Sequence, residues 1–432
     1  MSSSTIHFRE NTPTTQSILV SALPLSIFRF CFGLLMIPQV YNLLPSIHEL
    51  ANSIIVFHYP NLHWIEAYSH GLIDTLGGIC YIAALGISLG ILPRIFAGIF
   101  ALCFGYLFMI DMSFYNNHYY LWCLIGLLMV MTDMHKTYSI FDLIKKRNIV
   151  AIPLINYIVF ALLISIVYLY GGIVKIIPDW LQGQPMRILA HSRGWIFPDL
   201  LGYFMSYMGI IFDCGMAILL WQYAKKWWII LPYLVFHLSN YFIFNIGEFP
   251  FVMLAALSLF YPLQNYSITD IYQNAKLPFS NKLKYYILLL FFAFQLVFPL
   301  RCWLMEGKVA WHRQGYYFSW RMMLNSQEPK YFQYRVIIPE QKHEYYVDFR
   351  KIVTFRQLMN LYNNPYAIWS LAQKLKADAQ QKYSTENVQV YAKALITLNQ
   401  HPEQDLIRTD IDLAKVDYKL YSKNMFVTDF KK

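Results

Sequence analysis

Charged side chains are scarce in this chain of 432 residues, where Asp, Glu, Lys and Arg together make up 14%, against roughly a quarter in ordinary soluble proteins. The scarcity is confined to the first 302 residues, which carry 28 charged side chains, whereas the last 130 residues carry 32. Hydrophobic residues account for 57% of the chain and aromatic residues for 18%. This composition excludes an ordinary soluble, a disordered or a collagen-like protein. It predicts a membrane region, residues 1–302, followed by a soluble domain, residues 303–432.

Several chemical signatures are also lacking. The chain has no HExxH, no GxSxG, no P-loop and no Rossmann glycine pattern in a strand-turn-helix context, which argues against the enzyme classes that these sequences mark. The first apolar run begins near Gln16 and continues past signal length, so no cleavable signal is expected. Cysteine occurs six times, always in or at the end of an apolar segment, which predicts buried thiols and no disulfide framework.

The sequence instead contains many apolar stretches long enough to cross, or nearly cross, about 30 Å of hydrocarbon. They lie at residues 17–44, 72–92, 95–112, 119–133, 151–173, 199–222, 227–246, 249–263 and 284–302. Several are short, so we predict a multi-pass α-helical membrane protein with eight or nine spans.

The C-terminal tail has the pattern of a soluble α+β domain. The run YFQYRVIIPEQKHEYYVDF alternates and turns around Pro339, as a β-hairpin does. A helical stretch near residues 354–381 is interrupted at Asn363-Asn364-Pro365, and NVQVYAKALITL predicts another strand.

Basic residues are distributed unequally between the connecting segments. With nine spans and a cytoplasmic N-terminus, the inside segments hold eleven Lys and Arg residues, and the outside loops hold Lys175, Arg187 and Arg193. The positive-inside rule favours this orientation. The tail and the loop after Lys175 then lie on the non-cytoplasmic side. The formal net charge of +10 therefore indicates orientation, and we expect no nucleic-acid partner.

Ionisable groups inside a bilayer are costly, so each is a functional candidate. Lys175 ends the fifth predicted span in YLYGGIVKIIPDWLQGQ, with apolar residues on both sides and Pro178 closing the helix. A desolvated lysine loses part of its preference for the charged form and can act as a base. The alternative is a lysine that extends to the membrane surface.

Two further groups contain histidine. His118 follows Asn116 and Asn117 in FYNNHYYL, where the three side chains could hold a polar ligand or cap the next helix. His237 and Asn240 lie on one face of a helix, either as a binding pair or as a mutually satisfied core pair.

Two other polar residues at membrane depth do not indicate a particular function. Arg29 in the first span needs a partner, for which Asp111 and Asp213 are candidates. Glu248 follows Gly247 in a break between two apolar runs, where irregular backbone must line protein or a cavity.

One group has the spacing of metal ligands. His63, Glu66 and His70 would share one helix face, but HWIEAYSH is also typical of a helix at the membrane interface. We therefore expect no metal.

Taken together, these segments resemble the vitamin K-dependent γ-glutamyl carboxylases and their bacterial relatives with the horizontally transferred transmembrane domain. The resemblance spans roughly residues 20–415 and rests on the order of six stretches: FRFCFGLLMIPQ, DMSFYNNHYYL, GGIVKIIPDW, FHLSNYFIFNIGEFPFVMLA, QGYYFSWRMML and LIRTDIDLA.

The resemblance implies an enzyme that uses a reduced naphthoquinone of the vitamin K or menaquinone type, oxygen and carbon dioxide. It carboxylates a glutamate in a peptide or protein and releases quinone epoxide. Lys175 aligns with the lysine that deprotonates the hydroquinone.

The resemblance also assigns further site residues. His118 and His237 become catalytic histidines, and Asn116, Asn117 and Asn240 become quinone-binding residues. Tyr316 and Trp320 fall in the aromatic signature where the soluble domain meets the cavity. Arg29 is counted with the cavity, although a structural role is the main expectation for it.

This sequence departs from the animal members of that family in two ways. They carry a second lysine just before the catalytic one, where this chain has Val174. Their long C-terminal part, which contributes to propeptide recognition, has no counterpart after LIRTDIDLA. Substrate capture is therefore expected to differ.

The sequence leads to one preferred function and two alternatives. We expect a γ-glutamyl carboxylase-like enzyme, multi-pass in the inner membrane of a bacterium, with its active site on the non-cytoplasmic side. The alternatives are a quinol-oxygen epoxidase or oxidase that acts without carboxylation, and a transporter or lipid-binding membrane protein, although no internal repeat of the transporter kind is visible.

Overall fold

A computed structural model describes residues 17–62, 64–65, 69–146, 151–267, 269–270, 282–322 and 325–431. Within these ranges, six helices are long and apolar enough to cross a membrane, and three shorter apolar helices accompany them. The six are Leu23–Ala51, His70–Leu89, Ile155–Ile173, Pro198–Tyr223, Trp227–Phe244 and Lys282–Leu304. The shorter ones are Pro93–Met109, Asn117–Met131 and Phe249–Asn265. The prediction of a multi-pass helical membrane protein is confirmed, and the number of spans remains approximate.

The α-helices of the described residues are numbered in chain order. They are α1 Leu23–Ala51, α2 His70–Leu89, α3 Pro93–Met109, α4 Asn117–Met131, α5 Ile140–Ile144, α6 Ile155–Ile173, α7 Pro178–Leu181, α8 Gln184–Ser192, α9 Pro198–Tyr223, α10 Trp227–Phe244, α11 Phe249–Phe260, α12 Lys282–Val297, α13 Val309–His312, α14 Phe355–Leu361 and α15 Pro365–Tyr383. Short 3₁₀ segments include Met112–Phe114 and Phe298–Leu304.

The first helix begins later than the apolar run suggests. Leu19–Ser21 forms a short strand, β1, that pairs antiparallel with β2, Ala151–Pro153. The helix then starts at Leu23 and not near residue 17, and it continues through Pro38 to Ala51. The apolar run did not define the start of the helix, because this strand pairing joins segments about 130 residues apart, which local hydrophobicity does not encode.

The helices differ in how much surface they bury. α6 is apolar on all sides and buries most of its residues, so it lies at the centre of the bundle. α10 buries Ile229, Tyr233 and His237, which are spaced four residues apart on a single face. The other faces of α10 are apolar and exposed, as expected for a helix that borders lipid.

The C-terminal region has the predicted α+β organisation. Its sheet comprises β3 Gln327–Ile338, β4 His343–Val347, β5 Gln389–Leu398 and β6 Gln404–Asp405, in the antiparallel order β4-β3-β5-β6. The hairpin turns at Pro339, and α14 and α15 are separated at Asn363-Asn364, as the sequence indicated. Apolar residues of α15 pack against the sheet.

The two regions share a core where they meet. Phe57, Tyr59 and Met112 come from loops of the helical region, yet they belong to the hydrophobic core of the C-terminal domain. Asp111 joins these parts, because its Oδ2 accepts hydrogen bonds from the Phe57 backbone N–H and from Gln357 Nε2, each at 2.8 Å. The C-terminal domain is therefore fixed on one end of the helical bundle.

Candidate functional site

A cavity of about 1230 Å³ lies between the helical bundle and the C-terminal domain. Its walls come from the loop before α4, the segment after α6, helices α9 and α10, and the C-terminal-domain segments 313–322 and 355–363. Most of the wall is apolar. Its polar lining includes Asn116, Asn117, His118, Lys175, Asp213, His237, Asn240 and Tyr316.

Lys175 lies just beyond the end of α6 and is 7% exposed. Its Nζ donates a hydrogen bond to Asp213 Oδ2 of α9, and the same Nζ lies 5.4 Å from the centre of the Trp180 ring. The indole of Trp180 donates to the Ser206 carbonyl at 2.8 Å, which fixes the ring. Lys175 is therefore a buried member of an ion pair, and it does not extend to the membrane surface.

Two glycines before Lys175 allow α6 and α9 to approach. A methyl group on Gly172 would lie 3.0 Å from the backbone nitrogen of Cys214, and one on Gly171 would lie 3.3 Å from Asp213 Oδ2. Larger side chains would separate the helices and keep the carboxylate from the lysine. Close packing of α6 against α9 therefore explains the two consecutive glycines in GGIVK.

His237 lies on the buried face of α10 and is 1% exposed. Its Nε2 shares a hydrogen bond of 2.7 Å with the Tyr168 hydroxyl, and its ring packs against Tyr233 at 4.6 Å. Its Nδ1 is buried without a hydrogen-bond partner among the residues that the structure describes. Asn240, one turn further along α10, lines the same cavity.

His118 opens α4 at the edge of the cavity. Its ring stacks on Phe249, with centroids 3.9 Å apart and planes inclined by 12°.

Asn116 is the N-cap of this helix, since its Oδ1 accepts from the His118 backbone N–H at 2.8 Å. Asn117 Oδ1 accepts from the Tyr115 hydroxyl at 2.8 Å, and Asn117 Nδ2 donates to the Arg321 carbonyl at 3.2 Å. Capping and domain docking thus occupy both asparagines.

Two residues of the aromatic signature QGYYFSWRMML, Tyr316 and Trp320, were predicted at the cavity, and one of the two lies there. Tyr316 lines the cavity, and the Arg313 guanidinium lies 4.3 Å from the centre of its ring. Trp320 is fully buried in the core of the helical bundle, 5.2 Å from the Tyr120 ring, and is not among the cavity-lining residues. The backbone has positive φ at Phe318 and Trp320, which turns the indole into the core and away from the cavity.

Arg29 lies apart from the cavity, so its inclusion there and its expected carboxylate partners were wrong. It donates to Thr137 Oγ1 at 3.1 Å and to the carbonyls of Ile87, Ser88 and Tyr138. The free carbonyls at the C-terminal end of α2 carry partial negative charge, which gives a buried guanidinium its acceptors. Arg29 holds helices together at the end where α2 and α4 finish.

Three other sequence candidates also have structural contacts. Asp111 accepts the hydrogen bonds described above, and Glu248 Oε1 accepts from Asn42 Nδ2 at 3.1 Å. His70 Nδ1 lies 2.9 Å from His48 Nδ1. His63 and Glu66 lie outside the described residues. Across the described part of the chain, no group of three His, Cys, Asp or Glu side chains is placed to bind a metal.

Sequence reasoning missed three polar residues. Asp213 was noted only as one of two candidate partners of Arg29, beside Asp111, and not as the partner of Lys175. Asp179, in the connection between α6 and α9, was seen only as part of the Asp-Trp pair, and Arg321 follows Trp320 in the aromatic signature. A charged residue inside an apolar run was the available signal for Asp213.

Asp179 joins the cavity segment to the C-terminal domain. Its carboxylate accepts from Lys308 Nζ at 2.7 Å, from Asn399 Nδ2 and from His401 Nε2 at 3.2 Å. Burial alone would raise the pKa of Asp179, but these hydrogen bonds and the Lys308 charge hold that pKa below its ordinary value. The segment that carries Lys175 and Trp180 is thereby tied to the C-terminal domain.

Two family models match the chain, and together they cover nearly all of it. The HTTM domain matches residues 20–264, and the vitamin K-dependent gamma-carboxylase, lumenal domain matches residues 280–432. The first model covers the helices that form the cavity, and the second covers the sheet domain that closes it. Among solved structures, none matches the chain.

Proposed function

The chain belongs to the vitamin K-dependent gamma-carboxylase family, and from this premise we propose that it is a quinol-dependent γ-glutamyl carboxylase of the membrane. The observation that supports the proposal most is the meeting of Lys175, His118 and His237 in one largely apolar cavity beneath the C-terminal domain. When bound there, a reduced naphthoquinone, oxidised by oxygen to its epoxide, supplies the base strength needed to remove a γ-proton from glutamate before carbon dioxide adds.

The cavity fits a flat, hydrophobic quinol. Phe212 and Phe236 contribute ring surfaces, stacked on each other at 3.6 Å, and Met205 and Met208 add adaptable apolar walls. The buried Nδ1 of His237 lacks a hydrogen-bond partner among the described residues, so it is free to contact a quinol oxygen. His118 and Asn240 provide further polar contacts on the same wall.

The cavity also has an apolar entrance suited to a lipid-soluble ligand. Phe204, Ile211 and Val235 line the cavity and are themselves exposed on α9 and α10. A quinone dissolved in the bilayer can enter between these helices without crossing water. The opposite wall comes from the C-terminal domain, which gives a peptide a separate approach.

In this proposal Lys175 receives the proton from the quinol hydroxyl. Asp213 holds the amine in the cavity and compensates its charge whenever it is protonated. The apolar walls keep water from the site, which protects a strong base from being quenched. His118, His237 and Asn240 orient the quinol, whereas Asn116 and Asn117 shape the loop that carries His118.

We further propose the orientation that the basic residues indicate. The N-terminus is cytoplasmic, and the cavity and the C-terminal domain face the non-cytoplasmic side of a bacterial inner membrane. The acceptor is then a glutamate-containing peptide or protein exported from the cytoplasm.

The test incubates membranes containing the protein with reduced vitamin K, oxygen, labelled carbonate and a glutamate peptide. Quinone epoxide and incorporated label are measured separately. Lys175→Ala should abolish both products, and Lys330→Ala, an exposed lysine of β3, should change neither. Epoxide without label would instead support a quinol oxidase or epoxidase. The absence of both products from the wild-type protein would overturn the proposal.

A further inference from the structure

Arg321 is a buried cation with no carboxylate partner among the residues that the structure describes. The residue is one of those that line the cavity, and it is 6% exposed. The only hydrogen-bond contact of its guanidinium within the described residues is from Nη1 to the Cys302 sulfur at 3.9 Å. Its Nε is buried without any partner in the same set. A buried guanidinium is normally compensated by a carboxylate or several carbonyls, so this arrangement is costly in the free protein.

The other arginines of the cavity differ from Arg321. Arg313 donates to the Asn363 carbonyl at 3.4 Å and to Gln327, and it stacks on Tyr316. Arg356 is partly exposed, and its guanidinium lies 5.2 Å from the centre of the Phe114 ring. Arg321 therefore combines burial, cavity position and missing acceptors.

The segment that carries Arg321 is fixed next to the proposed reaction site. Asn117, the neighbour of His118, donates to the Arg321 carbonyl at 3.2 Å. On the other side, a methyl group on Gly171 would lie 3.3 Å from both the Met322 methyl and Asp213 Oδ2. The segment around Arg321 thus contacts the histidine loop through its backbone, and the Met322 side chain lies on the side of Gly171 and Asp213.

We propose that Arg321 binds the side-chain carboxylate of the glutamate that is carboxylated. This inference rests on the proposed function and names the group that selects its substrate. A guanidinium offers two parallel N–H groups to a carboxylate, and such charged hydrogen bonds are strongest in a water-poor site. Loss of the γ-proton shifts negative charge onto the carboxylate oxygens, which the guanidinium stabilises further.

The proposed site also distinguishes a glutamate side chain from a glutamine side chain. Glutamine has the length of glutamate but carries no charge to compensate Arg321. Phe355 and Met359 of α14 also line the cavity and are exposed. A peptide backbone can therefore remain at the C-terminal domain while one side chain reaches inward.

The test measures binding, independently of turnover. The purified full-length protein in detergent is titrated with a capped tripeptide containing a central glutamate and with the same tripeptide containing glutamine. The wild type should bind the glutamate peptide roughly 30-fold or more tightly than the glutamine peptide. Arg321→Gln should bind both alike, and Arg321→Lys should keep part of the preference. Arg335→Gln removes one positive charge from β3 outside the cavity and should behave as the wild type.

A purely structural role for Arg321 predicts different results. Arg321→Met fills similar space without a charge, so it should raise the thermal stability of the protein while losing the preference for glutamate. Equal preference in wild type and Arg321→Gln, or no preference in the wild type, would overturn the inference. If the wild type prefers glutamate yet forms neither epoxide nor carboxylated product, the proposed reaction fails and the carboxylate site stands.

Discussion

Asp213, within α9, accepts a hydrogen bond from Lys175, which follows the end of α6. Each residue is less than a tenth exposed, and both line the cavity. Neither charge is well accommodated alone, because transfer of an ion from water into apolar surroundings is costly. The pair therefore explains both how a lysine remains in this cavity and why the two helices meet at Gly171 and Gly172.

Removing one member of this pair should destabilise the protein more than removing both. Asp213→Leu or Lys175→Met leaves a buried charge unpaired and should each lower the free energy of unfolding by about 3–5 kcal/mol. The double variant should recover much of that loss. Chemical unfolding in detergent measures the three differences. Additive effects of the two single changes would contradict the pairing.

A second prediction separates the charge of Lys175 from its ability to take up a proton. Lys175→Arg keeps a cation beside Asp213, but a guanidinium cannot lose its proton under these conditions. Epoxide formation should fall by roughly 100-fold or more, since a positioned general base contributes at least that much. Lys330→Arg, on the surface of β3, is the matched control. Near-normal epoxide formation by Lys175→Arg would exclude a base role.

Lys175 and Asp213 also show what the sequence can and cannot predict. A charge inside an apolar run is expensive wherever the chain folds, so both residues could be recognised as unusual. Their pairing depends on how α6 packs against α9, and local sequence does not specify that contact. The sequence consequently left Asp111 and Asp213 as candidate partners of Arg29, which instead uses carbonyls at the end of α2.

The same distinction applies to the fold. Long apolar runs predicted the helices, and alternation around Pro339 predicted the β3–β4 hairpin, because these patterns are local. The late start of α1 and the inward turn of Trp320 were missed. The first depends on a distant strand, and the second depends on positive φ, a conformation that a tryptophan seldom adopts.

The hydroxyl of Tyr168 should matter for quinol binding through His237. Tyr168→Phe removes the partner of His237 Nε2 and frees the ring to turn. We expect the affinity for reduced naphthoquinone to fall by roughly 5-fold to 10-fold, the value of one hydrogen bond of about 1 kcal/mol or slightly more. Quinol binding can be followed by fluorescence quenching of the cavity tryptophans.

Tyr233→Phe is the control for this change. The Tyr233 hydroxyl donates to the Met253 carbonyl at 2.7 Å and makes no hydrogen bond to His237. The two variants lose the same atom on neighbouring helices. Equal weakening of quinol binding by both would show that stability, and not the orientation of His237, controls the affinity.

Acid should weaken the attachment of the C-terminal domain through Asp179. The folded protein holds the pKa of Asp179 below its ordinary value, which is about 3.9 in unfolded chains. Its contribution to stability is therefore complete above the unfolded pKa and disappears as the pH falls through the lower folded pKa. Between pH 6 and pH 3, protection from hydrogen exchange in residues 399–401 and 306–312, corrected for the slower intrinsic exchange in acid, should fall more in the wild type than in Asp179→Asn.

The matched control for acid sensitivity is Asp348→Asn. Asp348 pairs with Lys351 at 3.0 Å, but both side chains are largely exposed, and such pairs contribute little. This variant should retain the full acid response of the wild type, because Asp179 is intact. At pH 6 Asp179→Asn should be less protected from exchange than the wild type, because it has lost the ion pair with Lys308, and its protection should change little on acidification. An unaltered acid response in Asp179→Asn would show that other carboxylates hold the two regions together.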